Sequence, residues 1–121
     1  MKTKDNSQAQ RKWVREEVCL LVAEYFRTKE LSNEDIEKSH EFVSGVLRNR
    51  EKSITGEAIS DTFRNIDGIT LQSARIKCLD PETPYSGMQG TKLQKEVVQE
   101  YLRDPASIKA EAYDLIQKYG L

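Results

Sequence analysis

WVREEVCLLVAEYF, residues 13–26, is the stretch that decides the fold class. Val14, Val18, Leu21, Val22, Tyr25 and Phe26 recur within it at the spacing that lines one face of an α-helix. Glu16 and Glu17 stand in its first turn, where carboxylates match the positive end of the helix dipole. Working outward, a second helix is expected from Leu31-Ser32-Asn33. Ser32 is its cap, Glu34 and Asp35 fill its first turn, and Ile36, Val43, Val46 and Leu47 form its stripe, with fraying by Arg50. Glu57 to Phe63 reads as a brief helix with Ala58, Ile59 and Phe63 turned inward. Arg64-Asn65-Ile66-Asp67-Gly68 reads as a turn, after which Ile69 to Leu79 is helical. A strand over Ile66–Leu71 is the lesser alternative, since no partner strand is visible elsewhere. Asp80-Pro81 stops that helix, and Pro81 to Gly90 is a loop. Lys92 to Leu102 is helical, with Val97, Tyr101 and Leu102 as a core stripe. Asp104 caps a last helix with Pro105 at its first position, Ile108, Ala112, Leu115 and Ile116 face inward, and Gly120 closes it. The expectation is an all-α single compact bundle of five or six helices over residues 12–121. A helix-turn-helix-like element is expected around residues 55–79, and a disordered basic lead-in over residues 1–11.

A chain of 121 residues is long enough to close one core. No apolar stretch approaches the roughly 20 residues needed to span a bilayer, and Met1 to Gln10 lacks the marks of a signal peptide. A cytoplasmic protein with no membrane association is therefore expected. Two cysteines far apart in sequence, Cys19 and Cys78, and a single histidine cannot supply a zinc site. Both thiols read as small buried side chains rather than a disulfide. His40 lies mid-helix without an evident nucleophile or carboxylate partner for acid–base work. Gly87-Met88-Gln89-Gly90 lacks the pattern of a phosphate cradle. No catalytic residue, metal or cofactor is assigned, and the chain does not read as an enzyme. The net charge of -1 argues against a grip on nucleic acid over the whole surface. Charge is nonetheless uneven: Lys2, Lys4, Arg11, Lys12 and Arg15 cluster at the start, and Arg48, Arg50 and Lys52 form a second basic stretch.

Two stretches carry a resemblance. The first is Trp13-Val14-Arg15-Glu16-Glu17-Val18 running on to Tyr25-Phe26. The second is Phe63-Arg64-Asn65-Ile66-Asp67-Gly68-Ile69, followed by Leu79-Asp80-Pro81, Gly87-Met88 and Glu100-Tyr101-Leu102-Arg103-Asp104. Their order is similar to the helical domain that precedes the catalytic module in many bacterial HNH endonucleases and restriction-like defence proteins. That domain has a Trp-and-Glu opening helix, an F-R-N-x-x-G-[IV] segment, a Leu-Asp-Pro helix end and a Gly-hydrophobic pair. Gln72 and Arg75 depart from the Lys and Asn often found in that family. The HNH ligand set is missing here, so the resemblance implies an accessory DNA-binding domain, as part of a longer enzyme or as a stand-alone relative.

On that reading the candidate nucleic-acid contacts are Arg64, Asn65, Thr70, Gln72, Arg75 and Lys77, with Arg48, Arg50 and Lys52 adding sequence-independent grip. Arg and Asn near a helix N-terminus suit phosphate, and Gln and Arg on a helix face suit base edges in a major groove. Such a domain would bind double-stranded DNA in a salt-sensitive way and lose affinity when Arg64 and Arg75 are replaced by Ala. The same residues also have a purely structural reading. Arg64 pairs with Asp61 or Asp67 to staple the turn, Asn65 is a cap, Gly68 meets a conformational need, and Arg75 and Lys77 are solvated charges. The functional alternative is a protein-interaction or assembly module, homodimeric or with a protein partner, using exposed apolar residues near Tyr85 and Met88.

Overall fold

The computed structural model describes residues 11–120. The expected lead-in falls almost wholly on residues 1–10, outside the described residues. Among the described residues five helices make up the bundle: α1 (Arg15–Thr28), α2 (Asn33–Thr55), α3 (Ile66–Leu79), α4 (Lys92–Arg103) and α5 (Pro105–Tyr119). There is no strand among the described residues, so Ile66–Leu71 is helical and the all-α expectation holds.

Helix α1 is the axis of the fold and packs against each of the other four. Glu17 to Val22 is an unbroken run of buried residues, as expected when a helix is covered on every side. The one-face reading of residues 13–26 therefore understated α1: Cys19 and Leu20 are completely buried while Val14 is exposed. Val43, Val46 and Leu47 from α2, Ile69 and Ile76 from α3, Val97 and Val98 from α4, and Ile108, Ala112 and Leu115 from α5 close around it. Tyr101 stacks flat on Phe26 at 4.3 Å between ring centroids, whereas Leu102 points outward. Leu102 is thus no part of the core stripe.

Local chemistry sets most of the ends. Ser32 Oγ accepts the Asp35 N–H at 3.1 Å. Thr91 and Gln94 form a reciprocal capping box at the start of α4, with Gln94 N–H donating to Thr91 Oγ1 at 3.1 Å and Thr91 N–H to Gln94 Oε1 at 3.0 Å. Pro105 opens α5, but the Asp104 side chain makes no capping bond. Helix α2 does not fray at Arg50. It continues to Thr55 and ends at Gly56, whose φ of 69° is the left-handed conformation glycine adopts cheaply. Arg50 is held by an ion pair with Glu16, and buried Glu51 lies 2.8 Å from Arg11.

Two local readings between residues 55 and 79 need correction. Glu57–Phe63 is not helical; Arg48 Nη1 donates to the carbonyls of Ser60 and Phe63 at 2.8 and 2.7 Å, and Ser44 Oγ donates to the Arg64 carbonyl at 2.8 Å. Side chains of α2 thus fasten the end of this segment through its carbonyls, and it folds back against α2 as a loop. Helix α2 ends at Thr55 and α3 begins at Ile66, so the connection is too long for the turn of about 3–4 residues that joins a helix-turn-helix pair, and no such element forms over residues 55–79. Second, α3 begins at Ile66 because Asn65 Oδ1 accepts the Gly68 N–H at 2.8 Å. A Cβ at Gly68 would sit 3.1 Å from that oxygen, so this glycine makes room for the cap and serves no left-handed turn. Asn65→Ala is expected to lower the free energy of unfolding by about 1 kcal/mol. The effect should appear as a lower urea midpoint with an unchanged slope, and Asn65→Asp should recover most of it.

Candidate nucleic-acid interface

Arg64 is 6% exposed and Glu17 2%. The guanidinium meets the carboxylate in a fork: Nε donates to Glu17 Oε2 and Nη2 to Glu17 Oε1, each at 3.0 Å. Nη1 and Nη2 also donate to the carbonyls of Arg11 and Lys12 at 3.2 and 3.3 Å. The guanidinium lies 4.3 Å from the Trp13 ring centroid and 4.5 Å from that of Phe63, so it is sandwiched between two aromatic rings. Glu17 Oε1 in turn accepts the Val14 N–H at 3.0 Å. Arg64 has a φ of 43°, a conformation that costs a side-chain-bearing residue roughly 1–2 kcal/mol; the bonds around it hold it there. Trp13, Glu17, Phe63, Arg64 and Asn65, the residues that carry the family resemblance, are therefore one structural knot. Arg64 pairs with neither Asp61 nor Asp67 and presents nothing to a ligand.

The remaining candidates do not converge on one face. Asn65 is engaged as the α3 cap. Arg48 braces the loop before α3, and Arg50 is tied to Glu16. Lys52 is exposed beside Asn49, Gln117 and Lys118, where α2 meets α5. On α3, Thr70 and Lys77 line a cleft of about 370 Å³ against α1 and α2. Thr70 Oγ1 lies 3.0 Å from His40 Nδ1 there, and Lys77 lies over the Tyr85 ring. Burial pushes the His40 imidazole below its ordinary value, with Glu37 opposing weakly. Gln72 and Arg75 turn to the other flank of α3: Gln72 Oε1 accepts Gln94 Nε2 at 2.7 Å, and Arg75 Nη1 donates to the Gln89 carbonyl at 2.7 Å. The exposed residues of α3 are Ile66, Asp67, Thr70, Leu71 and Lys77, of which Thr70 and Lys77 are engaged with His40 and Tyr85.

That second flank carries what the sequence reading missed. An open cleft of about 690 Å³ runs between Lys12-Trp13, Gln72 on α3 and the first turn of α4, with Val18 and Leu93 among its lining. A neighbouring hollow of about 460 Å³ shares Thr91 and Lys92 with it and adds Lys95 and Met88. Lys92 and Lys95 are exposed, three residues apart on one helix face, and the first turn of α4 holds no acidic residue. Cations there oppose the helix dipole at a cost of about 0.3–1 kcal/mol each. The signal was legible in part, because Thr91-x-x-Gln94 marks a helix start and places both lysines in its opening turns. Acidic side chains gather elsewhere: Glu34, Asp35, Glu37 and Glu41 are all exposed on the first half of α2. A chain of net charge -1 thus has a basic flank and an acidic one.

Cys19 is buried and Cys78 half-buried, and both are free thiols. Burial, with Glu111 beside it, pushes the Cys19 thiol up to about 12, so it carries no thiolate at neutral pH. Among the described residues no group of three His, Cys, Asp or Glu side chains could hold a metal ion, and no helix is long and apolar enough to cross a membrane. No family model matches the chain, no curated protein matches it, and no solved structure matches it.

Proposed function

We propose that this chain is a non-catalytic DNA-binding module of a cytoplasmic protein, serving target recognition of the kind found beside HNH-type nucleases. Its contact surface is the flank formed by Lys12, Gln72, Arg75, Lys92 and Lys95. The observation that carries the reading is the pair Lys92 and Lys95 at the N-terminus of α4, bordering a cleft with Lys12 across it. Cations held against their local dipole preference, beside the free N–H groups of a helix start, form an attractive field for phosphate. The resemblance of the Trp13 and Phe63-Arg64-Asn65 segments to the accessory domain supports the same class as a likeness of sequence, and not through a ligand contact by Arg64.

Fluorescence anisotropy with a labelled duplex tests it. If three phosphates are neutralised, affinity falls about 40-fold between 50 and 200 mM salt. Lys92→Ala with Lys95→Ala should flatten the salt slope by about two phosphate contacts. Lys38→Ala, on the acidic half of α2, should change nothing. Absence of binding at 50 mM salt would end the proposal.

A second reading rests on a different observation. Ile66 and Leu71 are each 45% exposed on α3 and Tyr85 is 41% exposed in the following loop, and exposed apolar side chains of this size suit a protein partner or a second copy. A mass that rises with concentration in light scattering and returns to monomer in Leu71→Glu would favour assembly; a strict monomer at all concentrations would remove the homodimer.

A further inference from the structure

Building on the DNA reading, we propose that the cleft between Trp13, Gln72 and the start of α4 seats one unstacked nucleobase that presents hydrogen-bond acceptors, with its phosphate on Lys12 and Lys92. Shape is the first reason. A duplex groove is read by a protruding element, but the basic flank of this protein is concave, at about 690 Å³, within the range of pockets that hold small molecules. A concave surface receives what projects toward it, and the part of a nucleic acid that projects is a base taken out of the stack. On α3, Ile66, Asp67 and Leu71 are exposed, and the exposed Thr70 and Lys77 are engaged with His40 and the Tyr85 ring, so the helix offers no competing convex reader.

The lining supplies the rest. Val18 and Leu93 are apolar, and Trp13 provides an aromatic wall held in place by the Arg64 guanidinium on its ring. Bases stack on such walls without regard to sequence. Gln94 is 2% exposed, and its amide orientation follows from the backbone: Oε1 must accept the Thr91 N–H, so Nε2 faces Gln72 as a donor. Gln72 must then offer Oε1 to Gln94, which turns its own Nε2 outward. That nitrogen has no partner among the described residues. The chain of constraints begins at one backbone N–H and leaves the cleft with one free amide donor group, Gln72 Nε2, which matches an acceptor such as the carbonyl oxygen of thymine or guanine. Lys12 and Lys92 stand at the same cleft, opposed by the single carboxylate of Glu96, so its rim keeps a net positive charge for the attached phosphate.

Trp13 is the only tryptophan in the chain, so its emission reports occupancy without any substitution. Three probes are titrated at 50 mM salt: a perfect 20-base-pair duplex, the same duplex with one bulged thymidine, and a dT12 single strand. The bulged duplex and dT12 are expected to quench Trp13 strongly and the perfect duplex weakly, with the bulged duplex binding at least fivefold more tightly than the perfect one. Gln72→Leu, at a half-buried position, should abolish that preference while Lys92→Ala weakens all three probes alike; thermal melting confirms that both variants fold. No binding of any probe would overturn the DNA reading and this inference together. Binding with equal affinity for perfect and bulged duplex, or a preference that survives Gln72→Leu, would overturn this inference and leave the DNA reading standing.

Discussion

Replacing Arg64 by Ala is expected to cost about 3–5 kcal/mol of folding stability, the range measured when one partner of a buried ion pair is removed. The loss has several parts. Glu17, 2% exposed, keeps its charge in the interior without the fork that neutralised it. The Trp13 and Phe63 rings lose the plate between them, and the Arg11 and Lys12 carbonyls lose their donors. Against a typical total of about 5–15 kcal/mol, that is enough to unfold a sizeable fraction of the chain at ordinary temperature. Arg64→Lys should recover little, because an ammonium can neither fork onto the carboxylate nor stack between two rings. Glu17→Leu combined with Arg64→Met should be more stable than the two single effects predict, since no buried charge is then left alone. Urea unfolding of Arg64→Ala, Arg64→Lys, Glu17→Leu, Arg64→Met and the double variant measures this, and a loss under 1 kcal/mol for Arg64→Ala would contradict the knot. The result also bears on binding. Arg64 holds Trp13 and Lys12 at the proposed cleft, so a loss of DNA affinity in the folded variant is expected through those two residues and not through a phosphate contact of Arg64 itself.

The second large effect belongs to Asp80, at the end of α3. Its carboxylate accepts Tyr25 Oη and Lys29 Nζ, both at 2.7 Å, and the Glu82 N–H at 2.9 Å. It thereby joins the end of α3 to α1 and the segment after it. Asp80→Ala is expected to cost about 3 kcal/mol, the low end for a buried pair, because Lys29 keeps Glu82 at 2.6 Å. The pH dependence has a definite sign. Burial alone would raise the Asp80 carboxyl; the bonds from Lys29, the Glu82 backbone and Tyr25 outweigh it and hold the group below its ordinary value. As pH falls, the unfolded chain takes up this proton first, near the usual aspartate value of about 3.9. The contribution is therefore complete above that pH and is lost as pH drops through the lower folded value. Asp80→Asn should be less stable than the parent at neutral pH and show a smaller further loss between about pH 5 and 2. Glu100 and Glu111, both held down by Arg15, contribute in the same direction and remain in the variant, so the difference between the two curves isolates Asp80. Parallel curves would refute the assignment.

The sequence by itself determined that this chain is all helix, and where most of the helices run. Apolar spacing, the Ser32 cap and Pro105 are interactions within a few residues, so they are complete before any tertiary contact forms. Even the Thr91-x-x-Gln94 box, overlooked in reading the chain, is local in this sense. The errors share an opposite character. Glu57–Phe63 has helical composition, yet its Ser60 and Phe63 carbonyls are held by Arg48 and the next carbonyl, of Arg64, by Ser44, both from another helix. Arg64 looked like a surface contact because arginine is rarely buried unless it is paired, and its partner Glu17 stands 47 residues away. Gln72 and Lys77 looked like neighbours on one reading face, but the packing of α3 sends them to opposite flanks. Lys12 and Lys92 looked unrelated until α1 and α4 packed together and set them on one cleft. Helix positions follow from contacts a turn apart; which side chains are buried, paired or brought together is settled only when distant segments share a core.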